Sequence, residues 1–120
     1  MKKLNILLVF CGLIFGCSDG EDIIDEPLNF GNLITTGGLN FVPEVLNCNV
    51  GDTVFFELGS THNAIEVSEE NYNASNSIPL ENGFELGFGE SNYIVVLESK
   101  THFYVCTPHL PGMKARIIVH

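Results

Sequence analysis

Residues 102–120, "HFYVCTPHLPGMKARIIVH", hold two apolar runs with a proline-bearing turn between them. The runs "HFYVC" (102–106) and "KARIIVH" (114–120) are rich in Val, Ile, Phe and Tyr, which fit the pleated, half-buried surface of a sheet. Pro108 and Pro111 bar a helix between them and stiffen the turn. Such a reversal gathers its turn side chains at one end of a sheet, and here they are a thiol, an imidazole and a thioether: Cys106, His109 and Met113. Soft sulfur and borderline nitrogen are metal-ligand atoms. Whether they meet a metal depends on the rest of the chain.

Upstream, similar runs recur: "FGNLIT" (30–35), "VLNCNV" (45–50), "TVFFEL" (53–58), "HNAIEV" (62–67) and "YIVVLES" (93–99). Between them stand the turn signals "TGG" (36–38), "GD" (51–52) and "GS" (59–60). Short β-like runs at this spacing predict a β-sandwich or barrel. No helical period is long enough to compete, although "SEENYNASNS" (68–77) has room for a single helical turn. "LENGFELGFGES" (80–91) reads as a Gly-rich loop carrying apolar Phe84, Leu86 and Phe88. In "VLNCNV" the apolar Leu46, Cys48 and Val50 alternate with Asn47 and Asn49, so Cys48 reads as a small core hydrophobe and not as half of a disulfide.

At 120 residues and 45% hydrophobic content, the chain supports one packed domain. It opens with Met1-Lys2-Lys3 and an apolar run to Gly16, a charged n-region and an h-region too short to span a bilayer. "LIFGC" (13–17) resembles the lipobox of bacterial lipoproteins, which implies removal of residues 1–16 and lipidation of Cys17. Cys11 leaves with the signal, and only Cys48 and Cys106 remain as thiols. "SDGEDIIDEP" then makes 17–27 an acidic tether, with the domain expected over 28–120. Processing removes Lys2 and Lys3, leaving three basic residues against fifteen acidic ones, a net charge of −12. That surface repels nucleic acid and anionic headgroups; macromolecular partners are expected to be basic, and membrane attachment to come through lipid alone.

Copper sites with two His, one Cys thiolate and a weak axial Met need one more imidazole than the 106–113 turn supplies. His62 follows the turn "GST" and heads a predicted strand, so it is the expected fourth ligand. Structural zinc favours several thiolates or a closed Cys/His set, and a thioether is a poor zinc ligand. The combination of Cys, Met and imidazole suits copper in both oxidation states.

"YVCTPHLPGMKARIIV" (104–119), together with "VGDTVFFELGSTHNAIEV" (50–67), resembles the cupredoxins, the plastocyanin-, pseudoazurin- and azurin-like small blue copper proteins. The likeness runs from about Phe41 to His120. It implies an all-β Greek-key β-sandwich of about seven or eight strands and one copper ion (Cu+/Cu2+) held by His62, Cys106, His109 and Met113. It also implies a hydrogen bond from Asn63 to Thr107 beside the thiolate. Such a protein carries single electrons between redox partners and is not an enzyme. Here those partners are expected to be basic proteins, a cytochrome or a terminal reductase or oxidase, met by a monomer. The resemblance makes His109 the electron port, within an apolar patch of Pro108, Leu110, Pro111 and Phe88. The expected location is the cell envelope, lipid-anchored at the outer membrane on its periplasmic or outer face. One departure is the spacing: plastocyanin-like proteins have four residues between the second His and the Met, amicyanins two, and "LPG" gives three.

Copper storage or delivery without redox turnover is the alternative; such a site would be Met- or Cys-rich, and one Met and two thiols remain in the mature domain. A metal-bearing accessory module of a larger envelope complex is a third class. His102 and His120 have no partner at metal spacing, Glu69 and Glu70 read as a solvated face, and the carboxylates show no paired arrangement for acid–base catalysis. "NAS" (73–75) matches a glycosylation sequon, a weak signal in a bacterial lipoprotein, and "GFGE" is too short to cradle a phosphate.

Overall fold

The computed structural model describes residues 30–120, so the signal segment, Cys17 and the acidic tether lie outside the described residues. Among the described residues, a 3-10 turn, Phe30–Asn32, leads into nine strands and one short α-helix, with a second 3-10 turn, Thr107–His109, before the last strand. The strands are β1 (Leu33–Gly37), β2 (Asn40–Val42), β3 (Val45–Cys48), β4 (Thr53–Glu57), β5 (Ala64–Val67), β6 (Glu85–Leu86), β7 (Ser91–Val95), β8 (Thr101–Val105) and β9 (Lys114–Val119). The helix α1, Glu69–Asn73, is capped by Ser68, whose hydroxyl accepts from the Asn71 amide.

One sheet has the order β3-β9-β8-β5-β6 and the other β2-β1-β4-β7. Both are mixed: β9 runs parallel to β3 and β1 parallel to β4, while the remaining pairs are antiparallel. The chain passes repeatedly between the sheets, and in several strands alternate residues face a shared core. In β9, Ala115, Ile117 and Val119 are buried while Lys114, Arg116 and Ile118 are half-exposed. Across the core, β4 turns Val54 and Phe56 inward and Phe55 and Glu57 outward.

The count exceeds the expected seven or eight because β2 and β6 span only three and two residues, too short to show an alternation. Two boundaries also move. "FGNLIT" starts its strand at Leu33, because Phe30–Asn32 coil into the 3-10 turn. "YIVVLES" pairs earlier, over Ser91–Val95, because Val96 instead bonds the turn at Gly51 and Asp52. The outer edge of β7 is blunted locally: the Tyr93 amide donates to the Asn92 side chain, which in turn donates to Glu90.

Tyr104 stands at the centre of the core, fully buried, its ring edge-on to Phe41 (4.8 Å) and Phe56 (5.8 Å). Its hydroxyl has no hydrogen-bond partner among the described residues, and desolvation holds the phenol well above its ordinary pKa. A buried, unpaired hydroxyl costs about 1–3 kcal/mol. Tyr104→Phe should therefore stabilise the fold by about 1–2 kcal/mol, read as a higher urea midpoint with unchanged slope. A lower midpoint would mean that the hydroxyl is engaged. Cys48 and Cys106 are both buried and both free, as expected for a core thiol and a ligand thiol.

Candidate metal centre

The β8–β9 hairpin closes with Val105 opposite Lys114, and the Cys106 amide donates to the Met113 carbonyl at 3.0 Å as its last rung. That rung sets Cys106 beside Met113. Between them Thr107–His109 form one 3-10 turn with Pro108 inside it, where residues three apart eclipse. Cys106 and His109 therefore face the same side. The His109 carbonyl accepts from both the Gly112 and Met113 amides at 3.1 Å, which fixes the return of the chain.

His62 comes from the β4–β5 loop. It was expected to head a strand, but β5 begins only at Ala64, so His62 and Asn63 belong to the turn before it. The His62 amide donates to the Gly59 carbonyl (3.0 Å), and its own carbonyl accepts from Gly89 (3.1 Å). The part of Gly89 was not foreseen; "GFGE" had shown only a glycine-rich loop.

The donor atoms converge. His62 Nδ1 lies 3.2 Å from His109 Nδ1, and Cys106 Sγ lies 3.7 Å from His62 Nδ1 and 3.3 Å from His109 Nδ1. The point equidistant from the three is about 2.0 Å from each, the length of a metal–imidazole bond. Met113 completes the set, fully buried next to Cys106. Among the described residues, His62, Cys106 and His109 form the cluster able to hold a metal ion, and its chemistry, one thiol and two imidazoles beside a thioether, fits copper.

Burial pushes the Cys106 thiol up, opposed by the Asn63 and His109 amides directed at the sulfur. A bound cation favours the thiolate that burial alone resists. Asn63 does more than the single bond expected of it: its Nδ2 donates to Thr107 Oγ1 (3.1 Å) and its Oδ1 accepts from the Thr107 amide (2.9 Å). The loops carrying His62 and Cys106 are thus joined by a reciprocal pair. Of the four side chains, His109 alone is half-exposed; the others are buried.

The remaining histidines stay outside this centre. His102 Nδ1 meets Glu66 Oε2 at 2.7 Å, and Glu66, buried on β5, also accepts the Phe84 amide. His120 bonds Asn47 at the surface. Glu69 and Glu70 are exposed in the first turn of α1.

Residues 29–120 match the family model described as copper binding proteins, plastocyanin/azurin family. The chain belongs to this family. Among solved structures, this cupredoxin is similar to a reduced amicyanin with a Trp-to-Tyr substitution (20% identity, 79% of this chain and 87% of that one, TM-score 0.57). It is also similar to a pseudoazurin from Sinorhizobium meliloti (22% identity, 73% and 72%, TM-score 0.58). No curated sequence matches significantly. The solved neighbours share the fold, and the donor set belongs to this chain's own loops.

Beside His62, the Glu90 carboxylate accepts from Gly87 (2.6 Å) and from Asn92 (2.8 Å), ordering the loop that bonds the His62 carbonyl. The Asn92 bond, then the Gly87 bond, hold this carboxyl below its ordinary value of 4.5. A depressed folded pKa adds stability above the ordinary value and loses it as pH falls through the folded one. Glu90→Gln should therefore flatten the loss of thermal stability on acidification below pH 4.5, measured as melting temperature against pH. An identical slope in the variant would show that the carboxylate does not hold the loop.

Proposed function

We propose that this cupredoxin is a blue copper electron-transfer protein of the cell envelope, passing one electron at a time between redox partners. The observation that carries the reading is the triangle of His62 Nδ1, His109 Nδ1 and Cys106 Sγ, with buried Met113 beside it. Copper bound there would supply a one-electron couple. The chain's residues hold a fixed donor set, exclude water from three of the four positions, and leave His109 as the route to the surface. Phe88, Pro108 and Pro111 are exposed and Leu110 half-buried, an apolar rim on which a partner can dock.

The rest of the reading concerns attachment and partners. β1 runs parallel to β4, and β4 ends in the loop that bears His62, so the chain enters the sheet from the pole remote from the candidate centre. A lipid on Cys17 would anchor the chain to the membrane. The excess of negative charge favours a basic redox protein, a cytochrome or a terminal oxidase or reductase.

The decisive test is the visible spectrum of the copper-loaded domain: a strong sulfur-to-copper charge-transfer band is expected, and its absence would overturn the reading. With a basic cytochrome, the bimolecular electron-transfer rate should fall as salt rises, since the Debye length is about 10 Å at 0.1 M. Leu110→Glu should slow transfer even at high salt. A rate flat in salt would remove the basic partner, and an inert Leu110 variant would move the port away from His109. Metal that exchanges faster than electrons would favour storage or delivery instead.

A further inference from the structure

Three of the four candidate ligands sit on one short covalent loop, whereas His62 arrives alone on the β4–β5 turn. Its position has to be set by something other than the Cys106–Met113 loop. Asn63 ties the C-terminal side of that turn to Thr107. On the N-terminal side, the Gly59 amide donates to Thr36 Oγ1 at 2.9 Å, a bond across 23 residues to β1, the parallel neighbour of β4 in the same sheet. Gly59 then returns to the ligand through its carbonyl, which accepts the His62 amide.

Gly59 also touches the imidazole edge. A Cβ at position 59 would lie 3.0 Å from Thr36 Oγ1 and 3.2 Å from His62 Cδ2, so the glycine is wedged between the threonine and the ring. Its dihedrals carry no left-handed demand, since no positive φ is found there, so the absence of a side chain serves space. On the far side of the loop a Cβ at Gly89 would stand 3.3 Å from Ser60 Cα, while the Gly89 amide holds the His62 carbonyl.

We propose that Thr36 and Gly59 are positioning residues for the metal centre: the Thr36 hydroxyl holds the Gly59 amide, and side-chain-free Gly59 backs the His62 ring so that Nδ1 is aimed at Cys106 before metal arrives. The inference deepens the copper reading and rests on it for its relevance, although the bond and the wedge are properties of the protein without metal. The device matters because a donor displaced by a fraction of an ångström leaves the productive geometry.

The test compares Thr36→Val, Thr36→Ser and Gly59→Ala with the parent protein. Without metal, the Gly59 amide should exchange with solvent about tenfold or more faster in Thr36→Val and at the parent rate in Thr36→Ser, with the His62 ring resonances shifted in Thr36→Val and Gly59→Ala. With copper, Thr36→Val and Gly59→Ala should weaken metal affinity on the order of tenfold, as loss of an outer hydrogen-bond partner does, and alter the absorption band; Thr36→Ser should restore both. Unchanged Gly59 exchange and His62 resonances would overturn the proposal, as would a Thr36→Ser protein as perturbed as Thr36→Val, which would make the effect one of packing. Should no protein, the parent included, show a charge-transfer band, the copper reading fails, while the metal-free measurements still decide the positioning roles.

Discussion

Cys106→Ser should abolish the charge-transfer band expected of the copper-loaded protein and weaken Cu2+ binding by more than the roughly 10–100-fold that loss of an outer hydrogen-bond partner costs. The reason lies in the donor set. Cys106 is the donor whose thiolate is an anion, and it sits fully buried beside two imidazoles and a thioether. Serine places a hard oxygen there, with a hydroxyl far harder to ionise than a thiol, and leaves copper two nitrogens and a weak sulfur. The fold should survive, since serine is nearly isosteric and the Asn63 and His109 amides can still point at its oxygen, with a cost of about 1–3 kcal/mol for the buried hydroxyl. Copper titration followed by visible absorption, with circular dichroism as the control for folding, decides it. A coloured Cys106→Ser protein would take the thiolate out of the site.

Asn63→Ala has the next largest effect, and it acts on stability and metal together. The change removes both bonds to Thr107 and leaves that residue's amide and hydroxyl half-buried without them. About 2–4 kcal/mol of stability of the metal-free protein should go, seen as a lower urea midpoint. Once the two loops are no longer joined, His62 and Cys106 lose their fixed separation, and copper affinity should fall about 10–100-fold. A double-mutant cycle with Thr107→Val isolates the side-chain part of the pair, and a coupling of about 0.5–3 kcal/mol is expected. Strict additivity of the two substitutions would show that Asn63 acts elsewhere.

The ligand loop was legible because Cys106, His109 and Met113 stand within eight residues, between two runs with clear strand character. His62 was legible from its place after the turn "GST" at the head of a predicted strand, and again as the histidine of "HN" in a pattern resembling cupredoxins. What holds it was hidden. Its loop hangs on backbone groups: the Gly59 amide bonded to Thr36, 23 residues away, and the Gly89 amide bonded to its carbonyl. Apart from the Thr36 hydroxyl, such bonds use atoms every residue has, so they leave no composition signal. The strands missed, β2 and β6, are too short to display a period, and β6 lies in a stretch whose glycines suggested only loop. The Glu66–His102 pair was equally silent, because it joins positions 36 residues apart on neighbouring strands.

The two halves of the metal centre are far apart along the chain: His62 and Cys106 are separated by 44 residues, the same span that Asn63 and Thr107 bridge. An ion bound at both ends closes a loop of that length, as a covalent staple would. By the chain-entropy relation used for disulfides, a loop of 44 residues restricts the unfolded ensemble by about 4 kcal/mol for as long as the closure holds. A copper ion retained by His62 and Cys106 during thermal opening would therefore act as a reversible cross-link between the β4–β5 and β8–β9 loops. Each metal-loaded molecule should then resist opening most strongly where the sequence contacts are most distant, and a chelator that strips the ion would convert a slowly opening protein into a rapidly breathing one.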